Sequence, residues 1–380
     1  MPAEAGPIWL LVAGGGTGGH VYPGLTIVDA AIERDHPPST IHWMGSRIGV
    51  ETELVPAAGL TLTALPGRGL NDRRPNLANL KAVVGLLRAG VSGVFEVRRR
   101  RPAVVLSLGG FAAFAGIAGA VLWRVPLVVA EQNAVASLTN RLAGRFARAC
   151  AVSFEDTDLP RAVLTGNPVR AEVVAAAEVA RDPQSRAVAR SDLGVAEGQT
   201  LIAVMSGSLG SRVVNQAVIG MVERLGERSD VAVRHVIGRR DWQTDHAPAP
   251  EGIDPGSSVY RAVEYEDRPD RLLAAADLFI GRAGASTVAE LAVVGVASIL
   301  VPLPIAPRDA QRRNAEPFVR AGAAQVLDDQ DCTPERLAAL VAELVDEPQQ
   351  LASMADAARS LGRPDAAARV VDLLEEHARQ

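Results

Sequence analysis

Runs of mostly apolar residues alternate with amphipathic segments in the first half of the chain. The runs at 8–13, 40–44, 103–108 and 127–129 have the length and composition of buried strands. Segments with helical spacing of apolar residues, such as 23–34, lie between these runs. Strands that alternate with helices predict a parallel sheet covered by helices on both faces.

The same alternation starts again in the second half. Strands are predicted at 200–205, 232–237, 278–280 and 298–301, with helices at 213–226, 268–276 and 287–294 between them. A length of 380 residues, at roughly 150 per domain, also favours more than one domain. We therefore predict an α/β protein with two Rossmann-like, doubly wound sheets.

The predicted domains are 1–166 and 167–365, and a C-terminal helix at about 366–380 can pack back on the first domain or dock on the second. An uncharged stretch at 102–123 is long enough to cross a bilayer, but the pair Gly109 and Gly110 interrupts it. We interpret it as a strand, a glycine loop and a buried helix. The residues before 8–13 include Glu4 and no basic residue, so we expect no signal peptide.

Charge and cysteine content exclude several classes of protein. The 39 basic and 44 acidic residues leave a net charge of −5, which argues against a general nucleic-acid binder. Lys81 is the only lysine, so neither a Walker loop nor a lysine Schiff base is expected. Cys150 and Cys332 are far apart in sequence and support neither a disulfide framework nor a zinc site, which fits a reducing cytoplasm.

A glycine-rich motif follows the first predicted strand. Gly14, Gly16 and Gly19 match GxGxxG between a strand and a helix, which favours a phosphate or sugar-diphosphate contact over a simple tight turn. The second strand ends near Arg47 instead of an acidic residue. This weakens an NAD interpretation and leaves an NADP interpretation open.

His20 directly follows this glycine loop, at the start of the predicted helix. The positive end of a helix lowers a histidine pKa, so the imidazole would be neutral and able to accept a proton from a hydroxyl. His20 is our candidate general base. The alternative is a histidine that only caps the turn.

Other polar loops follow predicted strands. The loops at 206–211 and 284–287 combine glycine with hydroxyl residues and run into helices, the second of which carries Glu290. Carboxylate and amide groups cluster at 131–133 and 309–311, where they could bind sugar hydroxyls or act as N-caps. Arg170 at the domain boundary could reach a phosphate or form an interdomain salt bridge.

Taken in order, these loops resemble the MurG family, bacterial transferases that move N-acetylglucosamine (GlcNAc) from its UDP derivative to undecaprenyl-diphospho-muramoyl-pentapeptide. The resemblance spans nearly the whole chain. The matching segments are GGGTGGHVYPGL (14–25), ETELVPAAGL (51–60), SLGGF (107–111), EQN (131–133) followed by NR (140–141), TGNPVR (165–170), RAGASTVAELAVVG (282–295) and VPLPIAPRDAQRRNA (301–315).

The resemblance implies a GT-B fold, with two Rossmann-like domains facing a central cleft, and an enzyme that needs no metal or other cofactor. It implies a UDP-GlcNAc site formed by Thr17, Gly18, Gly19, Asn133, Arg170, Ser208, Tyr265, Glu266, Ala285, Ser286, Glu290 and Gln311. It implies an acceptor site formed by Gly15, Gly16, His20, Gly109, Gly110, Glu131 and Gln132. In these sets Ser208 and Arg170 would face the diphosphate, Glu290 the ribose, and the backbone near Tyr265 the uracil.

The implied reaction is attack of the muramoyl C4 hydroxyl on the anomeric carbon, with loss of UDP and inversion to a β-1,4 linkage. The implied partners are UDP-GlcNAc, the polyprenyl-linked muramoyl peptide, the inner membrane surface and other cell-wall synthesis proteins, with no nucleic acid. The implied location is the cytoplasmic face of the cell membrane, as a peripheral protein that serves peptidoglycan synthesis, cell shape and cell division.

Three positions depart from the family pattern. The family usually has His before EQN, and here it is Ala130. The GGSQG loop of the family has Leu209 in place of its glutamine, and Ala310 stands in place of a histidine before Gln311. We expect an active but divergent enzyme, with a changed acceptor as the alternative.

A predicted helix suits a membrane surface. Apolar residues recur at helical spacing in Leu77, Leu80, Val84, Leu87 and Val91, with the basic residues Arg73, Arg74, Lys81, Arg88 and 98–101 nearby. Such a helix can contact anionic lipid, although an ordinary core-facing helix has the same pattern.

Three alternative functions remain. The first is a GT-B transferase with another lipid or small-molecule acceptor, since fold does not determine the acceptor. The second is an NADP-dependent oxidoreductase that uses GxGxxG and Arg47. The third is a non-catalytic scaffold of cell-wall synthesis.

Overall fold

The computed structural model describes residues 7–66, 77–226, 228–244 and 259–379. The chain divides into two compact units, the first comprising Met1–Arg170 with Pro364–Gln380 and the second Ala171–Arg363. The boundary that we predicted between residues 166 and 167 lies inside the first unit. The C-terminal segment belongs to the first unit, one of the two positions that the sequence leaves open.

The first unit contains a seven-stranded parallel sheet in the order β3-β2-β1-β4-β5-β6-β7. Its strands are β1 (Leu10–Gly14), β2 (Ile41–Ser46), β3 (Thr61–Leu65), β4 (Val104–Gly109), β5 (Leu127–Glu131), β6 (Ala149–Val152) and β7 (Ala162–Leu164). Its first five helices are α1 (Gly18–Ile32), α2 (Glu51–Ala57), α3 (Leu77–Arg100), α4 (Gly110–Leu122) and α5 (Leu138–Gly144). A short 3-10 helix, Pro38–Thr40, precedes β2.

The central strand β1 is apolar throughout because both of its faces are covered. Leu10 and Val12 belong to the core on one face of the sheet, and Leu11 and Ala13 belong to the core on the other. Side chains of a strand alternate between faces, so a strand between two helical layers needs apolar residues at every position.

The second unit contains a six-stranded parallel sheet in the order β10-β9-β8-β11-β12-β13. Its strands are β8 (Thr200–Met205), β9 (Val231–Val236), β10 (Tyr260–Val263), β11 (Leu278–Gly281), β12 (Ala297–Leu300) and β13 (Ala324–Val326). Its helices are α6 (Ala171–Arg181), α7 (Pro183–Asp192), α8 (Arg212–Leu225), α9 (Arg239–Thr244), α10 (Pro269–Ala275), α11 (Ala285–Val294), α12 (Ala310–Ala321), α13 (Pro334–Asp346) and α14 (Pro348–Ser360). The 3-10 helices Pro307–Asp309 and Asp329–Asp331 flank α12 and β13.

The last helix, α15 (Ala366–His377), returns to the first unit and packs beside α1. Val370, Val371 and Leu374 are buried in the same core as β1. Arg34, just after the end of α1, supports this docking through Asp372 at 2.6 Å and Glu375 at 3.1 Å.

The uncharged stretch 102–123 forms β4 and α4, as the glycine pair predicts. α3 and α4 approach closely, because a Cβ at Gly93 would collide with the backbone of Ala115. Within the described ranges, no helix combines the length and the apolar character that a membrane crossing requires. The prediction of an α/β fold with two doubly wound parallel sheets is confirmed.

Candidate active site

The glycine loop between β1 and α1 lies at the carboxyl end of the first sheet. α1 begins at Gly18, earlier than the predicted start at residue 23, with Thr17 as its N-cap. The first backbone N–H groups of a helix have no intrahelical partner, so this loop presents N–H donors and the positive end of a helix dipole. Residues predicted to bind an anion, Thr17, Gly18 and Gly19, lie at this position.

His20 lies in the first turn of α1, and its Nδ1 is 3.1 Å from the Thr17 hydroxyl. Burial lowers the pKa of His20, and the negative charges of Glu131 and Glu51 offset part of this effect. The imidazole is therefore neutral near pH 7. When Nδ1–H donates to Thr17, Nε2 carries the lone pair that can accept a proton.

The start of α4 lies beside His20. Gly110 has a φ of 77°, and a Cβ there would be 3.0 Å from the Gly15 carbonyl oxygen and 4.0 Å from Cε1 of His20. Only glycine permits this backbone conformation and this approach without strain. The predicted acceptor residues Gly15, His20, Gly109 and Gly110 are therefore adjacent.

Glu131 is buried at the end of β5, with 2% of its surface exposed. Its carboxylate accepts hydrogen bonds from Ser137 N at 2.8 Å, Asn140 Nδ2 at 3.0 Å and Asn133 N at 3.1 Å. In this arrangement its oxygens organise the loop that leads to α5.

Gln132 is buried next to Glu131, and its Nε2 donates to the Ala130 carbonyl oxygen at 3.2 Å. Its Oε1 is buried and has no hydrogen-bond partner among the described residues. Asn133 is half-buried and its side chain lies 3.4 Å from Glu131 Oε1. An unpaired buried amide oxygen is costly, so a ligand donor here would be favourable.

The second unit carries the loop between β8 and α8, in which Ser208 is exposed. Its carbonyl oxygen accepts from Arg239 N at 3.0 Å. Ser211 caps α8 and its hydroxyl accepts from Arg282 Nη2 at 2.6 Å. Arg282 also pairs with Asp329 at 2.5 Å, so the loop is fixed by contacts outside itself.

A second helix start in this unit, that of α11, contains the predicted residues Ala285 and Ser286. The hydroxyls of Ser206 and Ser286 are buried and have no hydrogen-bond partner within the described part of the chain. Glu290 is half-buried on α11. Gln311, on α12, accepts from Leu303 N at 2.9 Å through Oε1.

Tyr265 is 41% exposed, and the Arg239 guanidinium lies 4.7 Å above its ring. The Glu266 carboxylate is occupied by Arg234 at 2.9 Å and by Arg268 N at 3.3 Å. The Glu266 side chain is therefore already paired, and the backbone of this segment is the group available to the uracil ring. Arg170, in the first unit, is half-buried with its guanidinium 5.3 Å from the Tyr22 ring.

Comparison with known proteins identifies the family. Residues 10–152 match the N-terminal domain of glycosyltransferase family 28, and residues 201–370 match its C-terminal domain. The protein of Alkalilimnicola ehrlichii described as UDP-N-acetylglucosamine–N-acetylmuramyl-(pentapeptide) pyrophosphoryl-undecaprenol N-acetylglucosamine transferase is 41% identical over 378 residues, which cover 97% of this chain and 99% of the relative. The Desulfitobacterium hafniense protein of the same description is 37% identical over 371 residues, 96% of this chain and 98% of the relative.

The chain belongs to the MurG family. The crystal structure of Acinetobacter baumannii MurG superimposes with a TM-score of 0.77 at 27% identity, covering 97% of this chain and 100% of that one. The predicted resemblance, the GT-B fold class with two Rossmann-like domains, and the assignment as a glycosyltransferase are confirmed.

The three departures from the MurG pattern lie in different surroundings. Ala130 is buried in β5, Leu209 is 60% exposed in the β8–α8 loop, and Ala310 is the first residue of α12. The exposed Leu209 has no polar side chain to offer a ligand.

The sequence reasoning missed three residues with site contacts. Asn140 is buried and joins the Ser107 hydroxyl, at 3.0 Å, to Glu131. Arg282 supports Ser211, and Glu51 supports the glycine loop. Asn140, Arg282 and Glu51 all lie within the quoted family segments, but each has a partner more than 30 residues away in sequence.

Proposed function

We propose that this chain transfers GlcNAc from UDP-GlcNAc to the muramoyl C4 hydroxyl of undecaprenyl-diphospho-muramoyl-pentapeptide. The observation that carries this proposal is similarity at 37–41% identity, over nearly the full length of both chains, to proteins described by that activity. The candidate site supplies a neutral imidazole beside two helix starts, which suits transfer between a hydroxyl and a diphosphate-activated sugar.

The donor is assigned mainly to the second unit. The exposed Ser208 and the start of α8 offer a hydroxyl and a positive helix end to a diphosphate. The unpaired hydroxyls at Ser206 and Ser286 and the half-buried Glu290 offer polar groups to the ribose and the sugar. We assign the same donor to Gln311, Ala285 and the backbone at Tyr265 and Glu266.

The acceptor is assigned to the first unit. The starts of α1 and α4 present N–H groups beside His20, and a diphosphate anion is stabilised by such groups. The unpaired Oε1 of Gln132 can accept a hydrogen bond from a sugar hydroxyl or amide. As the family resemblance implies, we also assign Thr17, Gly18, Gly19, Asn133 and Arg170 to recognition of UDP-GlcNAc.

In the proposed reaction, the acceptor oxygen forms a bond to the anomeric carbon while the bond from that carbon to the UDP oxygen breaks. His20 Nε2 takes the hydroxyl proton, and the electron pair of the broken bond leaves with UDP. Attack from the opposite face turns the α-linkage into a β-linkage. Arg170 and the helix starts stabilise the charge that develops on the diphosphate.

The first unit also has a surface suited to a membrane. Phe146 is 60% exposed and lines a cavity of about 770 Å³ together with Val121, Arg124, Arg148 and Arg161. Arginines beside exposed apolar groups favour a surface of anionic lipid. We assign the protein to the cytoplasmic face of the membrane through this basic-apolar surface (Val121, Arg124, Phe146, Arg148 and Arg161).

Part of the helix that we predicted to contact the membrane lies outside the described residues. This applies to Arg73 and Arg74, and nothing is described of the side chains of Leu77, Leu80, Lys81, Val84 and Leu87. Arg88 and Val91 of α3 are exposed, as is Phe95 one turn further on. We assign these exposed residues to the membrane contact as well.

The proposed function is tested by following labelled GlcNAc from UDP-GlcNAc into a short-chain analogue of the lipid-linked acceptor. We expect labelled lipid product, in the presence of excess EDTA as well as without it. UDP-GlcNAc binding without label in any lipid product would contradict the proposed acceptor.

A further inference from the structure

Glu51 is a fully buried carboxylate at the first position of α2. Its Oε2 accepts from Gly16 N at 2.8 Å, and its Oε1 accepts from Ser46 N at 2.6 Å. No arginine, lysine or histidine forms an ion pair with it among the described residues. Burial of a charge without a cationic partner is costly, so the burial of the Glu51 carboxylate calls for a functional or structural explanation.

The backbone around Glu51 is shaped to hold a carboxylate. Cβ atoms at Gly15, Gly45 and Gly49 would all collide with the Glu51 side chain, and at Gly45 the nearest atom, Cγ, would be 2.6 Å away. Three glycines from the β1 loop, β2 and the β2–α2 loop therefore make room for one acidic group.

Gly16 is the middle glycine of the GxGxxG motif, whose N–H groups ordinarily approach a phosphate. Here the Gly16 N–H is donated to Glu51. A ligand diphosphate is therefore left with the N–H groups at the starts of α1 and α4. The dinucleotide interpretation of this motif loses one of its donors and meets a fixed negative charge.

We propose that Glu51 is a positioning residue for the glycine loop, which it anchors to β2 so that Thr17 and His20 are held against the acceptor. This inference rests on the proposed transferase function. Gly16, which Glu51 holds, directly precedes Thr17, whose hydroxyl lies 3.1 Å from His20 Nδ1.

Glu51 also acts on the proton affinity of His20. The charged groups that act on the ring are Glu131, at the end of β5, and Glu51 of α2, and both raise the His20 pKa against the lowering by burial. Removal of the Glu51 charge should therefore lower the His20 pKa further.

The test uses Glu51→Gln, which keeps the shape and removes the charge. The glutamine oxygen can accept a hydrogen bond from one of the two backbone N–H groups, of Gly16 and Ser46, but its NH₂ group faces the other N–H group and cannot accept from it. We expect kcat/KM for the lipid-linked acceptor to fall about 10- to 100-fold, as expected for loss of hydrogen bonds to a charged group. The affinity for UDP, measured by calorimetry, should stay within about twofold of wild type and shows that the variant is folded.

A second readout is the titration of the His20 ring by NMR, which does not require turnover. We expect its pKa to be lower in Glu51→Gln than in wild type and to return toward wild type in Glu51→Asp, which restores the charge. Glu53→Gln is the matched control, because Glu53 is an exposed acid on the same helix. It should change neither measurement.

The proposal is overturned if Glu51→Gln keeps the wild-type acceptor kcat/KM. It is also overturned if Glu51→Gln loses stability but the His20 titration stays at the wild-type pH, because Glu51 then has only a structural role. Failure of the wild type to transfer label would instead contradict the proposed function, and the NMR titration would still report on Glu51.

Discussion

At the residue scale, the proposed chemistry depends on a neutral imidazole at the start of a helix. Two buried carboxylates act on the His20 pKa, but burial outweighs them and the pKa remains lowered. Both carboxylates are already bonded to backbone N–H groups, Glu51 to Gly16 and Glu131 to Ser137. They raise the pKa of the proposed base, and their bonds to the backbone keep them from competing for the substrate proton.

His20→Ala should lower kcat by at least about 10²-fold, since general-base assistance contributes about 10²- to 10⁴-fold. UDP affinity should be unchanged, because the proposed UDP contacts lie mainly in the second unit. Label transfer at saturating substrates measures kcat, with His377→Ala as the control. A kcat within about threefold of wild type would remove His20 from the role of base.

The position of His20 at the helix start could be predicted from the sequence, because strand, glycine loop and helix are consecutive. The role of Glu131 could not. Its partners Ser137 and Asn140 come together only when α5 folds back beside β5.

At the element scale, the strands predicted from the sequence are those with continuous apolar runs. The sequence analysis did not predict β3, β6, β7, β10 and β13, which are three to five residues long. β3, β7, β10 and β13 lie at sheet edges, where one side of the strand has no partner. Exposed residues in β3 and β7 weaken the apolar pattern, so pairing with the neighbouring strand determines these elements.

Leu374→Ala in α15 should lower the free energy of unfolding by about 2–5 kcal/mol, the usual cost of truncating a buried leucine. Leu374 is fully buried in the core shared with α1 and β1. Urea unfolding measures the change. Glu376→Ala, an exposed position on the same helix, is the control and should change stability by less than about 0.5 kcal/mol. If Leu374→Ala has the same free energy of unfolding as wild type, α15 contributes little to the stability of the first unit.

At the scale of the whole molecule, two buried histidines make stability depend on pH. His235 is bonded to the Tyr260 hydroxyl and to Asn215 Oδ1, each at 3.0 Å, and burial lowers its pKa to about 3. His42 lies between Thr61 and Thr63, and burial lowers its pKa to about 4. Both pKa values are below the ordinary value of about 6.5.

The stability contributed by these neutral histidines is complete above pH 6.5 and is lost as the pH falls toward 4 and 3, because the unfolded chain binds protons that the folded chain does not. When the pH falls from 7 to 5, each of these histidines should lower the free energy of unfolding by about 2 kcal/mol. His235→Gln should reduce the difference in unfolding free energy between these pH values by about that amount, as measured by urea unfolding. An unchanged difference, equal to that of a His377→Gln control, would contradict the assignment to His235.

The proposed membrane contact also belongs to the whole molecule. Phe146→Ser should weaken binding to vesicles that contain anionic lipid about tenfold, because burial of a phenylalanine contributes roughly 1.5–3 kcal/mol. Added salt should weaken it further through the arginines. Vesicle sedimentation measures the affinity, and Val188→Ser, at a 58% exposed apolar position of the second unit, is the control. Equal binding by both variants would remove the basic-apolar surface from the membrane contact.

The sequence by itself determined two α/β halves, the glycine loops at the ends of their strands and the order of the family segments. These features depend on neighbours within about ten residues, through apolar periodicity and turn chemistry. Only the tertiary structure decided that Glu51 accepts a hydrogen bond from Gly16 N, that Asn140 donates one to Glu131 and that the last helix packs in the first unit. Glu51 and Gly16 are 35 residues apart, and the last helix is far from α1 along the chain. Asn140 is only nine residues from Glu131, but its other partner, Ser107, is 33 residues away. Packing of strands and helices, which no local pattern records, brings these residues together.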